Sequence, residues 1–182
     1  VKKDIVQTHC MIGNRAYSTM EKKARPLILL NNLLGGPGMN SRLNLGIREK
    51  YGFTYSIESN YTNYEDTGFW SIYFGTEPQS VKRTLKLINK ELKKLRDVKL
   101  GSVQLKKAQQ QLIGQLAIAQ ENNCNLMQSI AKSYMSFGKV DSLEEMNHKI
   151  LSITSEQLQE VAQEIFKEDE LSTIIYEPKD AS

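Results

Sequence analysis

A chain of 182 residues is long enough for one domain with its own core, since folding at that length buries roughly 70% of the unfolded surface. Its 24 basic and 21 acidic residues leave a net charge of +3, too balanced to mark nucleic acid or an anionic membrane as partner. No run approaches the ~20 apolar residues of a membrane span, and clustered Arg with aromatics at RNA-motif spacing is absent.

Val1-Lys2-Lys3-Asp4 stands directly before a strand-like run, without a leader pattern. The chain is therefore expected to be cut from a longer protein, and a cytoplasmic setting is favoured. Ile5, Gln7, His9 and Met11 alternate with Val6, Thr8, Cys10 and Ile12, which predicts a strand turning at Gly13-Asn14. Pro26 opens an apolar run, Leu27 to Leu34, that stops at Gly35-Gly36. That polarity predicts a helix, and its apolar character all round predicts deep burial. After the loop Gly35-Gly36-Pro37-Gly38 comes a short amphipathic helix, with Leu43 and Ile47 one turn apart. Arg48 sits near its end and Gly52 is placed to stop it. Thr54 to Tyr61 then alternates. Tyr55, Ile57, Ser59 and Tyr61 are expected on one face, and Thr54, Ser56, Glu58 and Asn60 on the other.

Asp66-Thr67-Gly68 makes a turn, and Phe69 to Gly75 reads as the second strand of a hairpin. Thr76 and Gln79 are spaced as a capping box before a helix built on Val81, Leu85, Ile88, Leu92 and Leu95. Its lysine-rich outer face is expected to be solvated. Ser102 is expected to cap a helix carrying Leu105, Ala108, Leu112, Leu116 and Ala119, which ends near Glu121 before a bend at Asn122-Asn123. Leu126, Ile130 and Tyr134 mark a helix ending near Gly138. Ser142 with Glu145, and Thr154 with Gln157, predict capping boxes for two more helices. Leu171 to Tyr176 reads as a last strand. The order predicts an α+β fold, a mostly antiparallel sheet with helices packed on one face. Cys10 and Cys124 are expected to be buried free thiols.

The two histidines, His9 and His148, lie on separate elements and neither neighbours another ligand at metal spacing. Both are expected to be surface or packing residues, and the chain is expected to hold no metal or cofactor. Gly35-Gly36-Pro37-Gly38 is followed by no Gly-Lys-Ser/Thr, so it is not a phosphate loop. An Arg in a last helical turn can serve only the helix dipole, and a Tyr on a strand can serve only packing.

Taken together, Leu34-Gly35-Gly36, Gly38-Met39-Asn40-Ser41-Arg42-Leu43, Ile47-Arg48-Glu49-Lys50, Gly52, Tyr55-Ser56 and Asp66-Thr67-Gly68 resemble the C-terminal half-domain of the pitrilysin/insulinase family of zinc metallopeptidases, of the processing-peptidase type. The resemblance implies a ferredoxin-like sheet elaborated with helices. It implies that residues 1–182 form a single domain, the C-terminal half that lacks zinc. Zinc would be held by H-x-x-E-H and a distal Glu in the N-terminal half, on the same parent chain or on a partner subunit. The two halves would close around a peptide substrate. Tyr55 would assist the oxyanion, Arg48 would hold substrate backbone, and Gly35, Gly36 and Gly38 would contact substrate. Alone, the chain would be inactive. The alternative reading is a non-catalytic peptide-binding or structural core subunit of the same family.

Overall fold

The computed structural model describes residues 1–179. One sheet has the strand order β1-β5-β2-β4-β3. Its strands are β1 (Lys2–Lys3), β2 (Thr8–Ala16), β3 (Thr54–Asn63), β4 (Gly68–Thr76) and β5 (Ser172–Pro178). All neighbours run antiparallel except β1 beside β5. The helices are α1 (Ala24–Gly35), α2 (Val81–Asp97), α3 (Ser102–Gln120), α4 (Asn123–Phe137), α5 (Leu143–Leu151) and α6 (Ser155–Ile165). A π-helix, Asn44–Glu49, precedes β3. The α+β architecture is the one the element order predicts.

Alternation along the strands decides which sheet face meets the helices. Cys10 and Ile12 of β2, Ile57 of β3, and Trp70, Ile72 and Phe74 of β4 point into one core. There they meet Leu27, Leu30 and Leu34 of α1, Ile88 and Leu92 of α2, and Leu158 and Val161 of α6. Met11, Phe69 and Ile174, at the alternate positions, remain exposed. Trp70 is fully buried, lies 4.5 Å from the Phe166 ring, and donates from Nε1 to Ser59 Oγ at 3.0 Å. Ser59 Oγ in turn donates to Asn31 Oδ1, and Asn31 Nδ2 donates to the Ser59 carbonyl at 3.0 Å. The buried indole and hydroxyl are thus satisfied where α1 crosses the outermost strand.

Several local expectations change. β2 does not turn at Gly13-Asn14 but runs through to Ala16. A Cβ on Gly13 would lie 2.9 Å from the Trp70 carbonyl oxygen and 3.0 Å from the Phe69 ring, so the glycine serves close strand packing. The capping boxes at Ser142 and Thr154 form as predicted. The one at Thr76 does not, because Thr76 belongs to β4 and its hydroxyl donates to the Phe53 carbonyl. Ser102 is the first helical residue of α3, and Gly101 takes the cap position without a side-chain bond. Asn122, expected at a bend, caps α4 by accepting from the Cys124 and Asn125 amides. Among the described residues, no helix is long and apolar enough to cross a membrane.

Cys10 is fully buried as expected, but Cys124 is exposed at the start of α4. Burial pushes the Cys10 thiol up to about 11. Thiolate is the reactive form, so Cys10 is doubly protected at neutral pH. A thiol reagent added to the native protein is expected to modify Cys124 promptly and Cys10 only on unfolding. Two equally fast thiols would contradict the buried position of β2.

Candidate functional site

The site is assembled where α1, the glycine loop, the π-helix and β3 follow one another. α1 ends at Gly35, packed so tightly on β3 that a Cβ there would lie 2.6 Å from the Ser59 amide nitrogen. Gly35 and Gly36 are buried, Pro37 is exposed and Gly38 is half-buried. The loop is clamped to α3 by side-chain amides. Asn32 Nδ2 donates to Gln115 Oε1 at 2.5 Å, and Asn40 Nδ2 donates to Gln111 Oε1 at 2.9 Å. A Cβ on Gly38 would meet Asn40 Oδ1 at 2.5 Å and Gln111 Nε2 at 2.7 Å, so a side chain there would push aside the amide ends of this clamp. Of the three glycines named in the sequence, only Gly38 belongs to a stretch that a ligand can reach.

Leu43 and Ile47 are fully buried and anchor the next helix, as their spacing predicts. Its core is a π-helix rather than an α-helix, a wide coil that recurs at functional positions. Gly52 adopts φ +66° and donates its amide to the Arg48 carbonyl at 2.9 Å, which stops the helix. Only glycine takes that conformation without cost. Arg48 is half-buried in the last turn and makes no ion pair among the described residues. Tyr51 stacks on Phe53 at 5.5 Å between Arg48 and the strand.

Tyr55 does not share a face with Ile57, Ser59 and Tyr61. β3 is bulged: Thr54 pairs with Thr76 and Ile57 with Phe74, so Tyr55 and Ser56 together face the single residue Gly75. Thr54 and Ile57 are both buried, and Tyr55 and Ser56 are both turned outward. Tyr55 is 82% exposed, which makes it a free hydroxyl on a rigid strand rather than a packing residue. A bulge that re-aims one side chain is a recurrent device beside reactive sites. Arg48 and Tyr55 therefore flank one short connection, the helix stop at Gly52 and the first turn of β3.

The sequence predicts a surface or packing position for His9. It lies opposite Gly75 across β2 and β4, and its Nδ1 is 2.7 Å from the Tyr73 hydroxyl. Its signal in the sequence was alternation, which sets it on the face opposite Cys10. His148 is exposed on α5. Among the described residues no three His, Cys, Asp or Glu side chains are grouped to hold a metal.

The architecture is a single sheet carrying its helices on one face, with a glycine loop and a bulged outer strand. The same fold occurs in a protease from Helicobacter pylori, with TM-score 0.87 and 21% identity over 98% of this chain and 43% of that one. It occurs also in a peptidase M16 inactive domain from Pseudomonas fluorescens, with TM-score 0.85 and 22% identity over 100% of this chain and 43% of that one. At such identities the likeness establishes the fold alone.

Residues 1–112 match the family described as the Peptidase M16 inactive domain, and the chain belongs to that family, the pitrilysin/insulinase group. Among its relatives is the uncharacterized zinc protease YmxG of Bacillus subtilis (strain 168), 30% identical over 92% of this chain and 41% of the relative. Another is the mitochondrial-processing peptidase subunit alpha of Homo sapiens, 25% identical over 88% of this chain and 32% of the relative. The chain thus spans less than half the length of these curated relatives.

Proposed function

We propose that this domain supplies hydrogen-bond donors to peptide hydrolysis at a zinc site held by a companion half. The observation that carries the reading is the outward Tyr55 on its bulge, one helix stop away from Arg48. Zinc in the companion would polarise the scissile carbonyl and activate water. The residues of this chain meet the charge that then develops. The Tyr55 hydroxyl donates to the carbonyl oxygen as it becomes negative, where a donor is worth most. The Arg48 guanidinium holds a neighbouring substrate carbonyl and keeps the peptide in place. The largely exposed stretch Pro37–Asn40, fixed by the bond from Asn40 to Gln111, borders the peptide, while Gly35 and Gly36 shape it from below.

A companion is further supported by α4. Among the described residues it buries none of its own side chains, and Met127, Tyr134, Met135 and Phe137 are exposed along it. Such an apolar surface is unusual for a finished monomer.

The reading is tested by separating the parts. After dialysis the chain alone is expected to retain no equimolar zinc and to cleave no peptide. Cleavage is expected when the zinc-bearing half is added, and is expected to weaken when the added domain carries Arg48→Ala. Tightly held equimolar zinc in this chain, or full activity of the other half by itself, would overturn it.

A further inference from the structure

We propose that the outer face of α2 is a docking strip for an extended acidic segment of another protein, one with a carboxylate on every second residue. The strip lies on the helix layer, away from the Tyr55 face of the sheet, and it stands or falls independently of the catalytic reading.

Charge is unevenly placed in this chain. α2 carries seven basic and two acidic residues, while the rest of the chain carries 17 and 19. The modest net charge of +3 thus joins one strongly basic helix to a slightly acidic body. At about 100° per residue, Lys82, Arg83, Lys86, Lys90, Lys93 and Lys94 fall within an arc of roughly 120°. All six are exposed. The arc is centred opposite Val81, Ile88, Leu92 and Leu95, which are buried. Lys82, Lys86, Lys90 and Lys94 repeat at every fourth position, so like charges stand one turn apart three times over. Such spacing destabilises a helix unless opposite charges relieve it.

The acidic residues of α2 give little relief. Glu91 is half-buried at the border of the arc, with Arg42 at 4.0 Å and Lys94 at 2.6 Å. Asp97 pairs with Lys93 at 3.4 Å. Among the described residues, Lys82, Arg83, Lys86 and Lys90 have no carboxylate partner. The face is solvated, as the sequence predicts, but its first two turns are left uncompensated.

The pattern selects among anions. Lysines four apart rise about 6 Å along a helix, and alternate residues of an extended chain lie about 6.6 Å apart. Lys82, Lys86 and Lys90 therefore meet three alternate carboxylates with a mismatch of about 1 Å over the run, which flexible lysine stems absorb. A chain of such charge density repels itself and extends, so it arrives in the matching shape. Nucleic acid fits less well. α2 has no aromatic residue to stack on a base, and Arg83 is the single guanidinium of the arc for bidentate phosphate contact. A bilayer also fits less well, because the apolar residues of α2 pack inward and leave none to enter the interface.

The experiment titrates the isotope-labelled chain, at about 0.02 M salt, with an end-blocked peptide of about ten residues alternating glutamate and serine, followed by NMR. Amides from Lys82 to Lys94 are expected to shift saturably, while those of β3 stay still. Salt at about 0.3 M is expected to abolish the response, since exposed pairs are screened. Lys86→Glu combined with Lys90→Glu is expected to weaken binding roughly 10-fold. Lys86→Gln is expected to weaken it less and to raise Tm by about 1–2 °C, because two like-charge contacts are relieved. A peptide of the same length and charge with its glutamates gathered in one block is expected to bind more weakly. Should the charge-reversed variant fail to fold, the titration of the unaltered chain decides alone. No saturable shift along α2 at millimolar peptide would overturn the proposal, as would equal binding of the alternating and blocked peptides. Tighter binding of a single-stranded oligonucleotide, or of phosphatidylglycerol vesicles, through the same lysines would also overturn it and assign the strip to nucleic acid or to a membrane.

Discussion

Tyr55→Phe is expected to lower kcat of the complete enzyme roughly 10²- to 10³-fold, the usual cost of removing one oxyanion donor. The change removes a single oxygen. The ring stays, and 82% exposure means that no buried partner is orphaned. Melting temperature should therefore hardly move. KM should also move little, because a contact that strengthens only in the transition state does not hold the ground state. A packing role predicts the opposite pattern, with normal kcat for Phe and a stability loss for Ala. A fall in kcat of less than about threefold, far below the range for such a donor, would end the catalytic assignment.

Trp70→Ala should produce the inverse. Trp70 is fully buried, is packed on Phe166, and bonds Ser59 beneath the outermost strand. Truncating such a residue costs about 3–5 kcal/mol, because the transfer loss is joined by a cavity. For a chain of this length that is a drop in Tm of roughly 10 °C. Trp70→Phe fills most of the volume and loses mainly the bond to Ser59 Oγ, about 1–2 kcal/mol. Ser59 keeps its own bond to Asn31, which limits the damage. Tyr55 stands on the opposite side of the sheet, so kcat below the transition should be close to normal in both variants. A melting point for Trp70→Ala within about 3 °C of the parent would show that this core is not where the hairpin is held.

Signals carried within one element were legible in the sequence. Pro26 and Gly35 bracket α1 because proline suits a first turn and glycine a last one. Ser142 and Thr154 each reach a Glu or Gln three residues on, a purely local geometry, and both boxes form. Gly52 stops the Arg48 helix for the same kind of reason. What misled was set by partners distant in the chain. Thr76 has capping spacing, yet β4 claims it and Phe53 takes its hydroxyl. Gly13 looks like a turn because the nearness of Phe69 and Trp70 is invisible locally. Alternation put Tyr55 beside Ile57 because it assumes one residue for one across the ladder. The bulge breaks that count, and only the pairing with β4 reveals it.

The irregular start of β3 has a further effect, on how copies of the chain meet. β3 closes one side of the sheet, and a straight strand in that position would present a row of free amides and carbonyls to a neighbouring molecule. Here the bulge kinks the row at Tyr55-Ser56, and Asn31 occupies the Ser59 carbonyl further along. The run left for another strand to dock against is short and interrupted. The distortion that turns Tyr55 outward is thus also a guard against edge-to-edge polymerisation.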